Sequence, residues 1–381
     1  MSTLWEHHLP APGWTAAIAV ALILLLPAAM PHAAAGAQVE VLDTGQSAST
    51  TFYGLGWKHD GSQALIVGDD STVLTFSHSS GKFKRFEDAG LPAFLFGAAW
   101  RPDSLYALVV GADGAVFNFN GQALTPYCSS RANYFRSVDW KSDSSEALIV
   151  GSGGTILRFH DGIFQPVDSK TSVDLFSCSW NPKTQTALIS GSNSTLLRLE
   201  TNGTVTRIPF VEDWSLYAVS WNPNGDSALV VGANGNIAVY DGANIFTIHN
   251  GTPDNFLGCC WKPGSGAAFL CGDAGSIIEY SAGKLTMINS GLSSQLYSIR
   301  FRPQGDYALS VGYFAKVARY PRAPRPASVC LLENPLIIGG LASILVGVIM
   351  AYIVKDRMDR RHSGSAPEGS RRQRLNKRRR K

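Results

Sequence analysis

The side chains that could perform chemistry do not form a recognisable catalytic motif in this sequence. Catalysis needs a nucleophile, a base and an acid close together, and none of the eight histidines belongs to such a motif. No phosphate-binding loop, dinucleotide fingerprint or zinc-ligand spacing occurs either. The histidines lie near the termini or near predicted turns and outer strands; they are His7, His8, His32, His59, His78, His160, His249 and His362. We therefore predict no catalytic residues, no metal site and no cofactor.

The six cysteines show no metal-binding spacing. They are Cys128, Cys178, Cys259, Cys260, Cys271 and Cys330, and none forms a C-x-x-C pair. A hairpin centred on Gly264 would place Cys271 opposite Leu257 rather than beside Cys259 or Cys260, and a disulfide needs neighbouring Cβ atoms. Buried free thiols are the expectation, and a disulfide within this hairpin is the alternative.

A repeat of about 40 residues organises the chain. It is clearest in LYAVSWNPNGDSALVVGANGNIAVYDG, from Leu216 to Gly242. Each unit has an aromatic anchor followed eleven residues later by a glycine. The anchors are Trp57, Trp100, Trp140, Trp180, Trp221, Trp261 and Phe301, and the glycines are Gly68, Gly111, Gly151, Gly191, Gly232, Gly272 and Gly312. Self-similarity at this period is typical of stacked supersecondary units, so one repetitive domain occupies most of the chain.

Turn residues divide each unit into four strands. Asn222–Gly225 and Asn234-Gly235 predict turns in the clearest unit, and a fourth strand follows Asp241-Gly242. Four strands in 40 residues make one propeller blade, and 16% charged residues with 38 glycines agree with an all-β protein. On the inner strand, bulky residues alternate with small ones. We expect the bulky face to pack on the next blade, with the tryptophans between blades; the bulky residues include Tyr53, Leu55, Trp57, Phe96, Trp100, Tyr217 and Trp221.

The N-terminal segment is expected to close the ring. Gln38–Asp43 alternates as a strand does, and the last unit stops at Tyr320, one strand short of the others. Because open sheet edges invite aggregation, we predict that the N-terminal strand completes the last unit. Residues 38–320 would then form a seven-bladed β-propeller of four-stranded antiparallel blades.

This blade length, strand order and clasp resemble the WD-repeat-type seven-bladed propeller superfamily. The repeats are atypical, because no unit carries the Gly-His pair and no third strand ends in Trp-Asp. The observed endings are Phe-Ser, Phe-Asn, Phe-His, Leu-Glu, Tyr-Asp, Tyr-Ser and Tyr-Pro. The resemblance implies a rigid platform that binds other macromolecules, usually without catalysis.

Three charged residues interrupt the inner strands and form a candidate polar site in the central channel. Asp139 and Arg300 replace small residues, and Arg136 replaces an aromatic residue or leucine. Charges are rarely buried without a partner. One interpretation is that these side chains only reach water in the channel; the other is a pore site for a small ligand or a partner's tail.

A second candidate site is an aromatic rim for protein partners. The hairpin turn of the last unit is Tyr313-Phe314-Ala315, where other units have Asp113-Gly114 or Asn234-Gly235. Turns normally avoid bulky apolar residues. The loops that lead into the inner strands share this rim and contain Phe94, Tyr134 and Trp214. Aromatic clusters are typical of binding hot spots, and local packing of Phe314 on the linker or membrane is the alternative.

The two ends of the chain predict membrane attachment. Residues 1–37 resemble a signal peptide with cleavage before Gln38, or an uncleaved signal anchor. After a proline-rich linker at 321–335, Leu336 to Val354 is an uncharged run long enough for a transmembrane helix. The basic tail at 355–381 predicts a cytoplasmic C-terminus, with two spans if the signal stays attached.

The charge balance gives the propeller no basic patch of the kind that binds nucleic acid, so no nucleic-acid partner is expected. The formal net charge is +4, but Lys355 to Lys381 holds 12 basic and 3 acidic residues, so the rest of the chain is near −5. A basic tail beside a hydrophobic span favours contact with anionic lipids. We therefore predict a membrane-anchored, outward-facing binding or scaffold module that is not an enzyme, with a channel enzyme or small-ligand receptor as the alternative.

Overall fold

The computed structural model of the protein describes residues 38–87, 90–127, 133–210, 212–321, 349–355 and 357–358. The chain divides into two units, Met1–Arg322 and Ala323–Lys381. The described residues of the second unit are helical, and no helix in the described ranges is long and apolar enough to cross a membrane. The predicted signal segment, and most of the predicted linker, span and basic tail, lie outside the described residues.

The first unit contains seven four-stranded antiparallel sheets, as the repeat predicts. Blades 1 to 3 consist of β2 (Phe52–Trp57), β3 (Gln63–Gly68), β4 (Val73–Ser77), β5 (Phe83–Phe86), β6 (Leu95–Trp100), β7 (Ala107–Gly111), β8 (Val116–Phe119), β9 (Leu124–Pro126), β10 (Phe135–Trp140), β11 (Ala147–Gly151), β12 (Ile156–His160) and β13 (Ile163–Val167). Blades 4 to 6 consist of β14 (Leu175–Trp180), β15 (Ala187–Gly191), β16 (Thr195–Leu199), β17 (Val205–Ile208), β18 (Leu216–Trp221), β19 (Ala228–Gly232), β20 (Asn236–Tyr240), β21 (Ile245–His249), β22 (Phe256–Trp261), β23 (Ala267–Gly272), β24 (Ile277–Ser281) and β25 (Lys284–Ile288). Blade 7 consists of β26 (Leu296–Phe301), β27 (Ala308–Gly312), β28 (Val317–Tyr320) and β1 (Glu40–Leu42). Short 3₁₀ turns follow four of the second strands, at Ala112–Gly114, Ser152–Gly154, Ala233–Gly235 and Asp273–Gly275.

The N-terminal strand closes the ring. β1 lies antiparallel to β28, with Glu40 opposite Arg319 and Leu42 opposite Val317. The amide of Gln38 also donates a hydrogen bond to the carbonyl of Asn289, at 2.9 Å. The predicted clasp is therefore confirmed, and the last blade receives its fourth strand from the start of the domain.

The tryptophan anchors stabilise the contacts between blades. Trp57 and Trp261 are 9% exposed, and the indole of Trp57 donates to the carbonyl of Arg300 in blade 7, at 3.3 Å. The indole of Trp261 donates to the carbonyl of Ser220 in blade 5, at 2.9 Å. Each ring thus packs on the preceding inner strand, and the prediction that the tryptophans lie between blades is confirmed.

The glycine that ends each second strand allows a close backbone approach. A Cβ atom added to Gly68 would lie 2.1 Å from the carbonyl oxygen of Thr51, which is far inside van der Waals contact. The next residue, Asp69, donates its amide to that same carbonyl, at 3.0 Å. Equivalent contacts recur at all seven glycines. Glycine therefore occurs at this position of each repeat because a neighbouring carbonyl leaves no room for a Cβ atom.

This close approach accompanies a β-bulge in every inner strand. In blade 1, Phe52 lies opposite Gly68 and Gly54 lies opposite Val67, so Tyr53 has no partner in the ladder. The residues skipped in the other blades are Phe96, Arg136, Phe176, Tyr217, Leu257 and Tyr297. A bulge redirects the side chain of the extra residue. The bulge directs Tyr53, Phe96 and Tyr217 to the channel mouth, so their rings contact those of neighbouring blades there and not within the packed sheet faces that alternation predicts.

The same bulge changes the predicted cysteine geometry. Cys271 lies opposite Gly258, not Leu257. The four described cysteines are buried free thiols: Cys178, Cys259, Cys260 and Cys271. Burial raises the pKa of Cys260 to about 11 and that of Cys271 to about 12, so these thiols remain protonated at neutral pH. Cys128 and Cys330 lie outside the described residues.

Candidate functional site

Three cavities follow the central channel of the propeller. The upper cavity, which Phe94 and Tyr134 help to line, has a volume of about 490 Å³. The middle cavity has a volume of about 90 Å³. The lower cavity, which Asp139 helps to line, has a volume of about 430 Å³. The middle cavity shares Tyr53 and Arg136 with the upper one, and Leu55 and Arg300 with the lower one. It therefore lies between the other two.

The seven bulged residues surround the upper cavity, and we call them the aromatic mouth. They are Tyr53, Phe96, Arg136, Phe176, Tyr217, Leu257 and Tyr297, one from each blade. Tyr53 lies at the centre of a contact series, with its ring centroid 5.4 Å from that of Phe96 and 5.1 Å from that of Tyr297. Edge and tilted contacts at these distances are favourable for aromatic pairs. Burial, with a smaller contribution from Asp69, raises the pKa of Tyr53, so its phenol stays neutral.

Four of the five predicted rim residues join this mouth. The Tyr313 ring contacts the Tyr297 ring at 5.4 Å and the Phe314 ring at 6.0 Å. On the opposite side of Tyr53, the Phe96 ring contacts those of Phe94 and Tyr134, each at 6.2 Å. Phe314 is 57% exposed, and Phe94 and Tyr134 are 43% and 44% exposed. The rim and the mouth therefore form one continuous apolar surface.

The fifth predicted rim residue, Trp214, does not belong to this surface. Its side chain is only 5% exposed and contacts Phe210 edge-on, at 5.1 Å. A Cβ on Gly232 would lie 2.6 Å from the Trp214 ring. The prediction that Trp214 forms part of the exposed rim is therefore wrong: the absence of a side chain at Gly232 lets the indole pack among buried residues of blades 4 and 5.

Phe314 occupies a strained position in the turn of blade 7. Its φ is +61° and that of Ala315 is +53°, a left-handed conformation that bulky residues rarely adopt. Asn234, which occupies the equivalent position in blade 5, has φ +57° and tolerates this region better. The Ala315 amide donates to the Thr50 carbonyl at 2.7 Å. The turn therefore holds a large exposed ring where a polar residue would be more stable.

Arg136 is the one charged member of the aromatic mouth. Its guanidinium lies 4.5 Å from the centroid of the Phe96 ring and 5.7 Å from that of Tyr134. The buried Nε atom has no hydrogen-bond partner among the described residues, and no salt bridge within the described ranges involves this side chain. Stacking stabilises the cation but leaves the donors at its edge available to a ligand.

The three charged residues predicted as a polar channel site do not converge. Arg136 lines the upper and middle cavities, Asp139 lines the lower one, and Arg300 lines the middle and lower ones. Asp139 accepts a hydrogen bond from the Trp180 amide at 2.8 Å. Burial raises its pKa to about 6, while this amide and the charge of Arg300 act in the opposite direction.

Arg300 is exposed to the channel but anchored to its wall. Its Nη1 donates to the carbonyl of Cys259 at 3.0 Å and to that of Ile299 at 2.9 Å. The remaining guanidinium N–H groups are available at the boundary between the middle and lower cavities. Asp139 and Arg300 therefore share the lower cavity with opposite charges.

The described histidines lie outside the three cavities. His78 Nδ1 is 3.0 Å from the Tyr307 hydroxyl, His160 Nδ1 is 2.7 Å from the Ser145 carbonyl, and His249 Nδ1 is 2.6 Å from the Asn236 side-chain oxygen. Within the described residues, no group of three or more His, Cys, Asp or Glu side chains could hold a metal ion. In the described part of the chain, Asp139 is the one carboxylate that lines these cavities.

No protein-family model matches the chain, and no curated protein matches it. The functional argument therefore depends on the geometry of the channel and its aromatic surface.

Proposed function

We propose that this propeller is a non-catalytic binding module that takes up a protein partner at the aromatic mouth and the adjoining rim. The support is the continuous series of ring contacts from Phe314 through Tyr313, Tyr297 and Tyr53 to Phe94. Exposed aromatic clusters of this kind are typical of binding hot spots, where burial of each ring on association is favourable. A rigid ring of seven blades would present this surface with little loss of entropy on binding.

The strain at Phe314 is a second support for this function. Strained backbone conformations are concentrated at functional sites, and an exposed apolar tip in a left-handed turn has no benefit for folding. Burial of the Phe314 ring by a partner would offset the free-energy cost of this strained and exposed position. Because Asn suits the same turn in blade 5, Phe314→Asn separates binding from stability.

The test is crosslinking of the full-length chain in intact membranes, followed by mass spectrometry. We expect Phe314→Asn to lower the yield of a captured partner at least ~5-fold, in line with loss of one hot-spot side chain worth about 1–2 kcal/mol. The same variant should raise the free energy of unfolding by about 1 kcal/mol, because the left-handed conformation costs less for Asn.

The matched control is Phe246→Ser. Phe246 is 55% exposed but lies on β21, the outer strand of blade 5, away from the mouth. This variant should leave partner capture unchanged. Equal capture by the wild type and Phe314→Asn, or equal loss with Phe246→Ser, would refute an interface at the rim.

A small-ligand receptor or enzyme that uses the channel is the second candidate function. Its support is the lower cavity of about 430 Å³, within the usual range for ligand sites, with Asp139 and Arg300 on its wall. A double variant, Asp139→Ser with Arg300→Ser, should abolish small-molecule binding if this candidate is right. The aromatic surface favours the protein-binding function.

The membrane setting of this module is part of the proposal. The support is the sequence alone: the signal-like segment 1–37, the apolar run Leu336 to Val354 and the basic tail 355–381. A single-pass chain with an extracytoplasmic propeller would expose the mouth to partners outside the cytoplasm, and the tail would contact anionic lipids. The repeat length and the N-terminal clasp likewise support assignment to the WD-repeat-type superfamily. Protease protection of residues 355–381 in sealed vesicles tests the topology.

A further inference from the structure

The middle cavity is a small polar chamber directly below the aromatic mouth. Its volume is about 90 Å³, which suits a small charged group with a few waters but excludes a second aromatic ring. Two arginines, Arg136 and Arg300, line it together with Ser137, Ser177 and Ser298. Among the residues that the structure describes, no Asp or Glu lines this chamber. Its charge therefore favours an anion.

Two carboxylates whose charges act on the mouth tyrosines Tyr53 and Tyr297 are already hydrogen-bonded to the protein. Asp69 Oδ1 accepts the Thr51 amide at 2.7 Å. Asp273 accepts the Asn255 amide at 3.0 Å and hydrogen bonds from the Asn255 and Gln295 side chains. Asp139, which faces the lower cavity, offsets part of the charge of Arg300. The positive charge of Arg136 is therefore less neutralised by the protein than that of Arg300, so an external anion would bind more favourably beside Arg136.

The shape of the site restricts what can carry that anion. All seven blades contribute to the wall of the upper cavity, so residues surround it on every side and this favours the entry of a chain end over the passage of a continuous chain. A chain end can enter it. The upper cavity, at about 490 Å³, has room for apolar side chains above the polar chamber.

On these grounds we infer that the mouth binds the carboxyl terminus of a partner polypeptide, with its terminal carboxylate in the middle cavity and an apolar last side chain against the aromatic mouth. This inference depends on the proposed protein-binding function and names the element of the partner that is recognised. Arg136 provides the first guanidinium, since it is preorganised by Phe96 and Tyr134. Carboxylate binding by a guanidinium is directional and strong because two parallel N–H donors can face the two oxygens.

The experiment measures the binding of purified full-length protein to an array of peptides, each synthesised as a free acid and as a carboxamide. Peptides that end in Phe, Leu, Ile or Val should bind as free acids and lose at least ~10-fold in affinity as carboxamides. Arg136→Gln should remove this difference between acid and amide. Arg136→Lys should retain part of it, because the charge remains and the two-pronged geometry is lost.

The outcomes separate this inference from the proposed function. Binders that are insensitive to amidation, or an array without binders, would overturn the inference, as would octanoate that binds as tightly as every peptide. If partner capture in membranes still depends on Phe314 in that case, the proposed protein-binding function stands although the inference fails. A thermal melt of Arg136→Gln that matches the wild type excludes unfolding as the cause of lost binding.

Discussion

Arg136 and Asp139 show how one inner strand carries opposite charges to different depths of the channel. Both lie on β10, but the bulge directs Arg136 to the mouth, whereas Asp139 reaches the lower cavity. Asp139 accepts the amide of Trp180 in the next blade. Ser179 makes the equivalent contact in the following blade, where its hydroxyl accepts the Trp221 amide at 3.1 Å. Asp139 is therefore a structural residue of the blade contact as well as a channel charge.

This position predicts a pH dependence of stability. Burial raises the pKa of Asp139 from 3.8 to about 6 in the folded protein, so the folded state holds a proton that the unfolded state has released. The free energy of unfolding should therefore fall as pH rises from about 4 to about 6, by at most about 3 kcal/mol. Asp139→Asn should flatten this decrease, since its side-chain oxygen still accepts the Trp180 amide. Urea titrations of the wild type and Asp139→Asn at pH 4, 5, 6 and 7 measure the free energy of unfolding at each pH.

The control for this series is Asp143→Asn. Hydrogen bonds from Ser145 lower the pKa of Asp143, so its contribution is present above the ordinary pKa and is lost as pH falls. Its replacement should leave the decrease between pH 4 and pH 6 in place. An Asp139→Asn profile parallel to that of the wild type would contradict the assignment of this decrease to Asp139.

At the scale of the strands, the repeated glycine and the bulge belong to one device. A Cβ on Gly151 would lie 2.1 Å from the Tyr134 carbonyl oxygen and 3.0 Å from the Cα of Phe135. These are backbone atoms of the entering loop and of the inner strand, so they cannot move without displacing the strand. The side chain of the bulged residue, Arg136, depends on that strand position. The glycine therefore maintains both the fold and the direction of the mouth residue.

Gly151→Ala should lower the free energy of unfolding by about 1–3 kcal/mol, as overpacking in a core does. Gly266 is the matched control, because a Cβ there meets no atom within 4 Å. Gly266→Ala should leave stability unchanged or raise it by up to about 1 kcal/mol, through a less flexible unfolded chain. Chemical denaturation of both variants checks this pair, and equal midpoints would contradict the crowding argument.

The sequence predicts the blades more completely than it predicts the mouth. Repeat spacing, turn residues and the short last unit are enough to place seven blades and the clasp, because strand alternation and turn chemistry are local properties. Alternation alone assigns Tyr53 to the packing face, since a bulge adds one residue without changing the residue pattern. The invariant spacing of the glycines was the available sequence signal for the bulge. The burial of Trp214 depends on its contact with Gly232 at the end of β19, and the glycine marker does not indicate which residue of the entering loop packs against it.

At the scale of the whole molecule, the ring depends on contacts that each blade makes with the next. The Arg101 guanidinium donates through Nε to the Ser144 carbonyl of the next blade at 2.9 Å. Arg302 makes the same type of contact from blade 7 to Gly61 of blade 1, at 2.8 Å. The Arg302 bond crosses the closure, so a side chain fixes the last blade to the first in addition to the clasp.

The clasp can be tested at a single position. Val41 lies opposite Ala318 on β28, and its side chain is 44% exposed. Val41→Pro should lower the melting temperature by several degrees and promote aggregation, because proline disturbs the pairing and exposes the edge of β28. Val41→Ser changes the exposed side chain but retains the amide, so it should melt within about 2 °C of the wild type. Differential scanning calorimetry with light scattering distinguishes them, and identical melts would show that closure contributes little.

The bulge also has a consequence for how such a protein can diversify. The seven mouth side chains stand outside the ladder pairing, whereas the glycines and anchors that build the blades lie elsewhere in each repeat. Substitution at these seven positions can thus alter molecular recognition while leaving the scaffold intact. Two homologous propellers with identical blades could therefore bind different partners, because the seven mouth side chains can vary independently of the scaffold.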